Sequence, residues 1–469
     1  MMAGRDKFGV EEQFKPDTEN GFTVALLPWG DLIEDFLNSI GISLEAFCRE
    51  MTGGWLFGYI DALRSAGINT VVFCVSALVN GTVNFTNVPT GAKVFILPAS
   101  RVYLSIRRRM MNRYGRSTEE TFGSVRGLRA YNYAVLRNTA PYLATPLRLL
   151  GRQLRREHCK AILCQEYEYA RFDVCVALGK LLRIPVFATF QGGSWHLSRF
   201  ENIIRPLTIK ACNGLIIAAK EENQRVRSKY HISPFRIAAV FNPIQIEMWD
   251  KIDRNEIRAK LDIGEDAMVV VWHGRVEIHR KGLDILLEAW EMVCHALKGK
   301  NLQLLLVGTG NDADELHHRI STMQLEGIRW LDRYLLNREA IRNYLCAANV
   351  YVLSSRHEGF PVAPIEAMSC GLPVVATDVN GISDIFDGGE AAGGIVVPSC
   401  DAIALAAALE QILTDKALGR KLGKRARRRA EACFSLEAVG RQLRNFLSIG
   451  ESKDLLSAGE GTSTENIST

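Results

Sequence analysis

The sequence predicts an α/β protein built from two Rossmann-like parallel-sheet domains that face each other across a cleft. Three observations predict it. Short apolar runs alternate with helical patterns along almost the whole chain, the signature of parallel sheets with helices on both faces. The runs number thirteen, too many for one doubly wound sheet. The pattern breaks near the middle, at "FNPIQIEMWD" (241–250), where Asn242-Pro243 interrupts it. A chain of 469 residues also has room for two or three domains with sizeable cores.

Taken in order, residues 1–20 are polar and aperiodic and predict a disordered tail. The first set of runs is "FTVALL" (22–27), "TVVFCV" (70–75), "KVFIL" (93–97), "AILC" (161–164), "PVFATF" (185–190), "GLIIA" (214–218) and "RIAAV" (236–240). They define a domain over 21–243. The second set is "MVVVWH" (268–273), "LQLLLVG" (302–308), "IRWL" (328–331), "VYVLS" (350–354), "PVVAT" (373–377) and "GIVV" (394–397). These define a domain over 244–432, with helices such as 282–298 and 338–347 between strands. A last helix, 433–449, precedes a second polar tail, 450–469. Parallel sheets bind ligands at the carboxyl ends of their strands, so two facing sheets imply one cleft.

Composition narrows the function. The net charge of +5 is mild for this length and does not point to a nucleic-acid binder. No apolar run reaches membrane-spanning length, and the polar start is not a signal peptide. The eleven cysteines form no CxxC pair and no zinc spacing, and read as reduced core residues. A cytoplasmic protein is expected.

Four stretches carry candidate chemistry. In "HGRVEIHRKGLDILLEAW" (273–290), Arg275 and Lys281 flank the entrance to an amphipathic helix. Two cations beside unpaired helix N–H groups suit an anion, with a diphosphate as the natural guest, although solvated helix-entry charges would look the same. "LLLVGTGNDADEL" (304–316) has the form G-x-G-x-x-A, but its acids would repel a pyrophosphate and a tight turn is expected. "SSRHEGFPVAPIEAMSCGLPVVATD" (354–378) places Glu358 in a loop and Glu366 early in a helix, seven residues between them. Backbone N–H groups of the Gly359, Phe360, Pro361 and Val362 stretch would face the cleft. A carboxylate can accept two hydrogen bonds from a vicinal diol, so the pair can hold two sugars, or Glu366 can simply favour the helix dipole. In the first half, Gly53-Gly54 and the "TFQGG" turn after Gln191 let ligand atoms approach the backbone, or serve as ordinary turns.

In this order, these motifs resemble the GT-B glycosyltransferases of the retaining family 4, also called glycosyl transferases group 1. The resemblance runs from about 235 to 447 and rests on Glu358…Glu366, "SCGLPVVATDVNGISDI" and "GRVEIHRKGLDILLEA". It implies a GT-B fold, with the first domain binding the acceptor and the second the nucleotide-sugar donor. It implies that Arg275 and Lys281 bind the donor diphosphate, Glu366 the ribose and Glu358 the donor sugar. Leu331, Asp332 and Arg333 would lie by the base, Gly53 and Gly54 near the diphosphate. The helix at 435–447 would cross back onto the first domain. The family usually carries a histidine where this chain has Gln191. Gln191 can hydrogen-bond a sugar hydroxyl but cannot take a proton near neutral pH, and His196 is close enough in sequence to substitute. Residues 30–52 look like an insertion covering the acceptor side.

The expected activity is hexosyl transfer with retention from a UDP-, GDP- or ADP-linked sugar, with no cofactor and no metal. Cations and helix N–H groups would stabilise the leaving diphosphate. The acceptor is a saccharide, a lipid-linked sugar or a small molecule. Alternatives are a GT-B sugar-nucleotide epimerase, a catalytically silent nucleotide-sugar-binding protein and a glycoside hydrolase, the last having no use for Arg275 and Lys281. Finally, 101–160 holds thirteen arginines against Glu119, Glu120 and Glu157. Within it, 104–116 and 146–158 mix basic and apolar residues in a form that could lie on an anionic membrane, or attract an anionic soluble acceptor.

Overall fold

The computed structural model describes residues 21–113, 115, 117–192 and 198–456. The first sheet contains β1 (Thr23–Leu27), β2 (Asn69–Ser76), β3 (Val83–Thr86), β4 (Lys93–Pro98), β5 (Cys159–Cys164), β6 (Val186–Thr189), β7 (Gly214–Ile216) and β8 (Ile237–Ala238). Its order is β3-β4-β2-β1-β5-β6-β7-β8, parallel except for β3. The second contains β9 (Met268–His273), β10 (Leu302–Val307), β11 (Ile328–Leu331), β12 (Val350–Leu353), β13 (Val374–Thr377) and β14 (Gly394–Val397). Its order is β11-β10-β9-β12-β13-β14, parallel throughout.

Every predicted apolar run contains a strand. The additional strand is β3, whose "VNFT" is mostly exposed and carries no apolar run to betray it. It is stabilised by its antiparallel pairing to β4 rather than by burial. The order of each sheet reverses once, between β1 and β5 and between β9 and β12. Such switch points leave a crevice at the carboxyl ends of the strands, where ligands bind.

The chain passes between the two cores twice. Val240 packs with the first core and Ile244 with the second; Phe434 packs with the second and Val439 with the first. The crossings run side by side, since the Ile244 N–H donates to the Phe434 carbonyl at 2.8 Å. Phe241 stacks on Phe360 with centroids 5.0 Å apart and meets Phe434 edge-on at 5.2 Å. Beyond this joint, Val439, Leu443, Phe446 and Leu447 of the long last helix bury themselves in the first core.

Residues 30–52 form helices Glu34–Ile40 and Leu44–Glu50, and their Leu37, Phe47, Cys48 and Met51 anchor the segment in the first core. In the arginine-rich region, helix Leu147–Arg156 turns Leu150 and Leu154 inward, and helix Arg101–Arg107 buries Tyr103 and Ile106. Arg107 is itself buried against Asp35. Leu150, Leu154, Tyr103 and Ile106 thus face protein, as on an ordinary amphipathic helix, while Met111 stays exposed.

Candidate functional site

The second switch point gathers most of the candidate residues. β9 ends at His273, and the loop after β12 carries Ser355 and Glu358 before helix Ala363–Ser369, which carries Glu366. Between them lies a cavity of about 180 Å³ lined by His273, Gly274, Lys281, Glu358 and Pro361 to Ala363. The parallel pairing of β9 with β12 places these strand ends side by side.

Both glutamates are buried and both are held as carboxylates. Lys281 Nζ lies 2.8 and 3.0 Å from the two Glu358 oxygens, and the Ser355 hydroxyl donates to Oε1 at 2.6 Å. Burial raises the Glu358 pKa, but the Lys281 ammonium outweighs it and the net shift is downward. Glu366 accepts from Arg338 Nη1 at 2.8 Å and contacts His273 Nε2 at 2.7 Å. Burial again opposes ionisation, and Arg338 and His273 again reverse it. Arg275 pairs with Glu277 at 3.0 Å, and burial pushes its guanidinium pKa down. The pair Glu358–Lys281 thus places a cation and a carboxylate in contact at one wall of the cavity.

Residues of the first domain close over this wall. Arg338 Nη2 donates to the Thr52 carbonyl at 2.9 Å and lies against Gly53, where any Cβ would collide with its guanidinium. Glycine at 53 is therefore a space requirement. Gly192 and Gly359 meet backbone to backbone across the cleft, so a Cβ on Gly359 would collide with the Gly192 nitrogen. Gln191 and Asn242 exchange amide hydrogen bonds at 3.1 and 3.0 Å, and Asn242 also donates to the Phe360 carbonyl at 2.8 Å. The Gln191 amide is thereby committed to the interdomain joint. A sugar hydroxyl could use it only by displacing Asn242.

Behind Gln191 stands Glu166, buried at the end of β5. It accepts the Gln191 N–H at 3.1 Å and the Glu168 N–H at 3.3 Å. Burial pushes its pKa up to about 8, with Glu168 and Glu222 adding to the effect. A carboxyl whose pKa is raised on folding binds its proton more tightly in the native state. Its stabilising contribution is full below 4.5 and is lost as pH rises through about 8. Relative to Glu166→Gln, the parent should lose stability across that window, with a slope approaching about 1.4 kcal/mol per pH unit. Parallel denaturation curves for both proteins from pH 5 to 8 would refute it.

The remaining candidates lie elsewhere. Leu331 to Arg333 follow β11, two strands out from β9, and the Asp332 carboxylate contacts His317 at 3.1 Å. Phe360 turns its ring into the second core. Pro361 has no N–H to offer. Gly54 begins helix Gly54–Ser65. His196 lies outside the described residues. The Gly308-Thr309-Gly310 turn braces the Arg275 loop, with the Val276 N–H donating to the Thr309 carbonyl at 3.0 Å. Asp312-Ala313-Asp314 has the D-x-D form of some metal-binding pairs, but Asp312 accepts the Ile278 N–H at 2.8 Å. No metal-sized group of three His, Cys, Asp or Glu occurs among the described residues.

His273, Arg338, Asn242 and Arg280 were not candidates on sequence grounds. His273 was readable as the end of a strand. Asn242 was readable only as the break between domains and Arg280 only as a neighbour of Lys281, since their partners lie far away in sequence, as when Arg280 Nη2 reaches the Gly192 carbonyl at 3.4 Å; Arg338 gave no signal.

Comparison with known proteins agrees with this layout. Residues 253–429 match a family model described as "Glycosyl transferases group 1". The chain is 34% identical over 182 residues to the lipopolysaccharide core biosynthesis glycosyltransferase LpsE of Rhizobium meliloti, covering 39% of this chain and 50% of that one. It is 29% identical over 209 residues to the capsular polysaccharide biosynthesis glycosyltransferase CapM of Staphylococcus aureus, covering 44% and 52%. The chain therefore spans about half the length of these curated relatives. Among solved structures, sucrose-phosphate synthase from Thermosynechococcus elongatus superposes with a TM-score of 0.64 at 20% identity, over 93% of this chain and 100% of that one. Anabaena HepE in complex with UDP and glucose gives 0.64 at 16% identity, over 91% and 99%. The second half is thus similar to glycosyltransferases, and the likeness across both domains shows a GT-B fold.

Proposed function

We propose that the protein transfers a hexose from a nucleotide sugar to an acceptor, with retention of configuration. The observation that carries this reading is the Glu358–Lys281 and Glu366–Arg338–His273 cluster around the cavity at the second switch point. In this reading Glu366 holds the ribose, Glu358 the donor sugar, and Lys281 and Arg275 the diphosphate. Lys281 exchanges part of its contact with Glu358 for a phosphate oxygen when donor binds. The bond from the sugar's anomeric carbon to the diphosphate breaks, the acceptor oxygen bonds that carbon from the same face, and its proton goes to the departing phosphate. Cations already aimed at the leaving group lower this barrier by electrostatic preorganisation. UDP, GDP and ADP all stay candidate bases: HepE is described with UDP and UDP-glucose, and a mannosyltransferase of Corynebacterium glutamicum, 30% identical over 202 residues, is named as GDP-mannose-dependent.

A thermal-shift screen against UDP-, GDP- and ADP-sugars tests the donor. A ligand at 100 times its dissociation constant adds about 2.7 kcal/mol of stability. Transfer assays with the stabilising donor should release nucleotide only with acceptor present. Nucleotide release without acceptor would favour an epimerase, and free sugar without nucleotide a hydrolase.

We place the protein in the cytoplasm with its first domain on an anionic membrane, which would bring it to a lipid-linked acceptor. The support differs from the two segments first considered. Helix Leu128–Ala144 leaves Leu128, Tyr131 and Val135 exposed at positions i, i+3 and i+7, and helix Arg199–Ala211 leaves Phe200, Ile203 and Leu207 exposed at the same spacing. Tyr142 and Phe200 join the two helices with centroids 5.1 Å apart. Exposed Arg126 and Arg129 adjoin the first stripe. Apolar stripes bordered by arginines suit anionic lipid. No helix among the described residues is long and apolar enough to cross a membrane. Leu128→Asp with Ile203→Asp should abolish sedimentation with anionic vesicles; equal sedimentation of parent and variant would remove the membrane from this reading.

A further inference from the structure

The opposite end of the second sheet opens onto a larger cavity, of about 940 Å³. It lies at Ala267 and Met268, where β9 starts, and at Asn349 and Pro373, just before β12 and β13. A strand of this length spans roughly 20 Å, so a ligand here would not overlap the donor cavity.

Two helices wall it with cations. Helix Arg254–Lys260 supplies Arg254 and Arg258, and helix Lys416–Cys433 supplies Lys416, Arg420, Lys424 and Arg428. Each set recurs at every fourth position and so shares one helix face. The ion pairs nearby are Arg427 with Asp250 at 2.8 Å and with Glu431 at 2.6 Å, and Lys260 with Glu256 at 2.7 Å. They leave the six wall cations without a carboxylate partner among the described residues. Asp250, Glu265 and Asp266 also line the cavity and only partly offset this charge.

The unmatched charge extends into the protein. Arg258 is 2% exposed. Its donors go to the Ala347 carbonyl at 2.9 Å, the Glu265 carbonyl at 2.8 Å and the Asn349 side chain at 2.9 Å, all neutral acceptors. Arg254 keeps a buried Nε with no hydrogen-bond partner. Burial lowers both guanidinium pKa values, that of Arg258 to about 10 with Arg254 adding to the effect. Arg107, Arg205 and Arg338 face the carboxylates of Asp35, Asp173 and Glu366, whereas buried Arg171, like Arg258, is held by neutral acceptors. A buried cation without a counter-charge is costly, and a bound anion would relieve the cost.

We propose that this groove is a second ligand site, for a multiply charged phosphate group. Its volume exceeds what a single phosphate fills and suits a polyphosphorylated small molecule or a phosphorylated lipid headgroup. The inference does not depend on the glycosyl-transfer reading, because it uses none of the donor residues.

The test pairs two probes with one charge reversal, Arg420→Glu with Lys424→Glu, at exposed positions that leave the core intact. Inorganic tripolyphosphate is titrated into the full chain in an Arg275→Ala background, which weakens the donor cavity's own hold on phosphate. Vesicles of phosphatidylcholine with phosphatidylglycerol form the second arm, in a Leu128→Asp and Ile203→Asp background that removes the first domain's own hold on anionic lipid. The reversal should weaken tripolyphosphate binding by at least about tenfold, or abolish vesicle binding, and high salt should weaken whichever is bound. Loss confined to tripolyphosphate assigns a soluble ligand; loss on vesicles assigns a lipid headgroup. If the reversal changes neither, whether because the parent binds neither probe or because parent and variant bind alike, the proposal is overturned.

Discussion

Lys281→Ala is expected to lower kcat with the nucleotide-sugar donor by about 100- to 1,000-fold, the range typical of losing one preorganised group at a developing charge. Two consequences add. The leaving diphosphate loses a cation, and Glu358 is left buried with the Ser355 hydroxyl as its remaining side-chain donor. Without the ammonium, burial dominates and the Glu358 pKa rises, so the sugar-binding group moves towards its neutral form. The loss should therefore be deepest at low pH. Arg275→Ala should be milder, since Arg275 contacts Glu277 rather than Glu358, and should weaken nucleotide binding by about 1.5–3 kcal/mol. Steady-state rates at several pH values check both, and an undiminished kcat in Lys281→Ala would remove it from the catalytic machinery.

Glu366→Ala should both destabilise the fold and weaken binding of free nucleoside diphosphate. Its carboxylate is buried and neutralises Arg338, which is 13% exposed in the same pair. Removing one partner of a buried pair costs about 3–5 kcal/mol, because the other charge stays desolvated. The Arg338 contact with Thr52 would loosen too, so the cleft should open as well as lose its ribose contact. Glu358→Ala should instead spare free nucleotide and impair the sugar donor. Calorimetry with nucleoside diphosphate and with nucleotide sugar separates the two, and equal losses on both ligands would show the roles wrongly divided. The acid limb gives a second reading. The folded pKa of Glu366 lies below its ordinary value, so its contribution is present above 4.5 and lost as pH falls through the lowered value. Glu366→Gln should flatten that limb.

The features legible in the sequence are the local ones. Glu358 and Glu366 share one loop and helix, and Lys281 follows β9 within eight residues, so their proximity to strand ends could be read from patterning alone. Arg338 could not be read. It opens a helix after an Asn337 cap, like any arginine in a first turn, and meets Glu366 because helix Arg338–Ala347 packs beside the β9–β12 switch. Gln191 shows the same limit. Its sequence offers an amide able to hydrogen-bond a sugar hydroxyl, and only the fold shows Asn242, fifty-one positions away, bonded to it. The arginine-rich segments show it as well: composition records which residues a helix carries, while only packing decides which face meets protein.

By itself, then, the sequence determined the alternation of strands and helices, the division into two parallel sheets and the placing of Lys281 and Glu358 each after a strand's carboxyl end. These follow from hydrophobic period and turn chemistry, which act over a few residues. Tertiary structure alone decided the order of the strands, and with it which loops share a crevice. It decided that Glu366 meets Arg338 and His273, that Gly192 and Gly359 touch across the cleft, and that six cations of two helices, without carboxylate partners among the described residues, face one groove behind the second sheet. Those contacts join residues from 28 to 167 positions apart, as in Glu366 with Arg338 and Gly192 with Gly359, and are set by burial of whole elements against each other, which no local window contains.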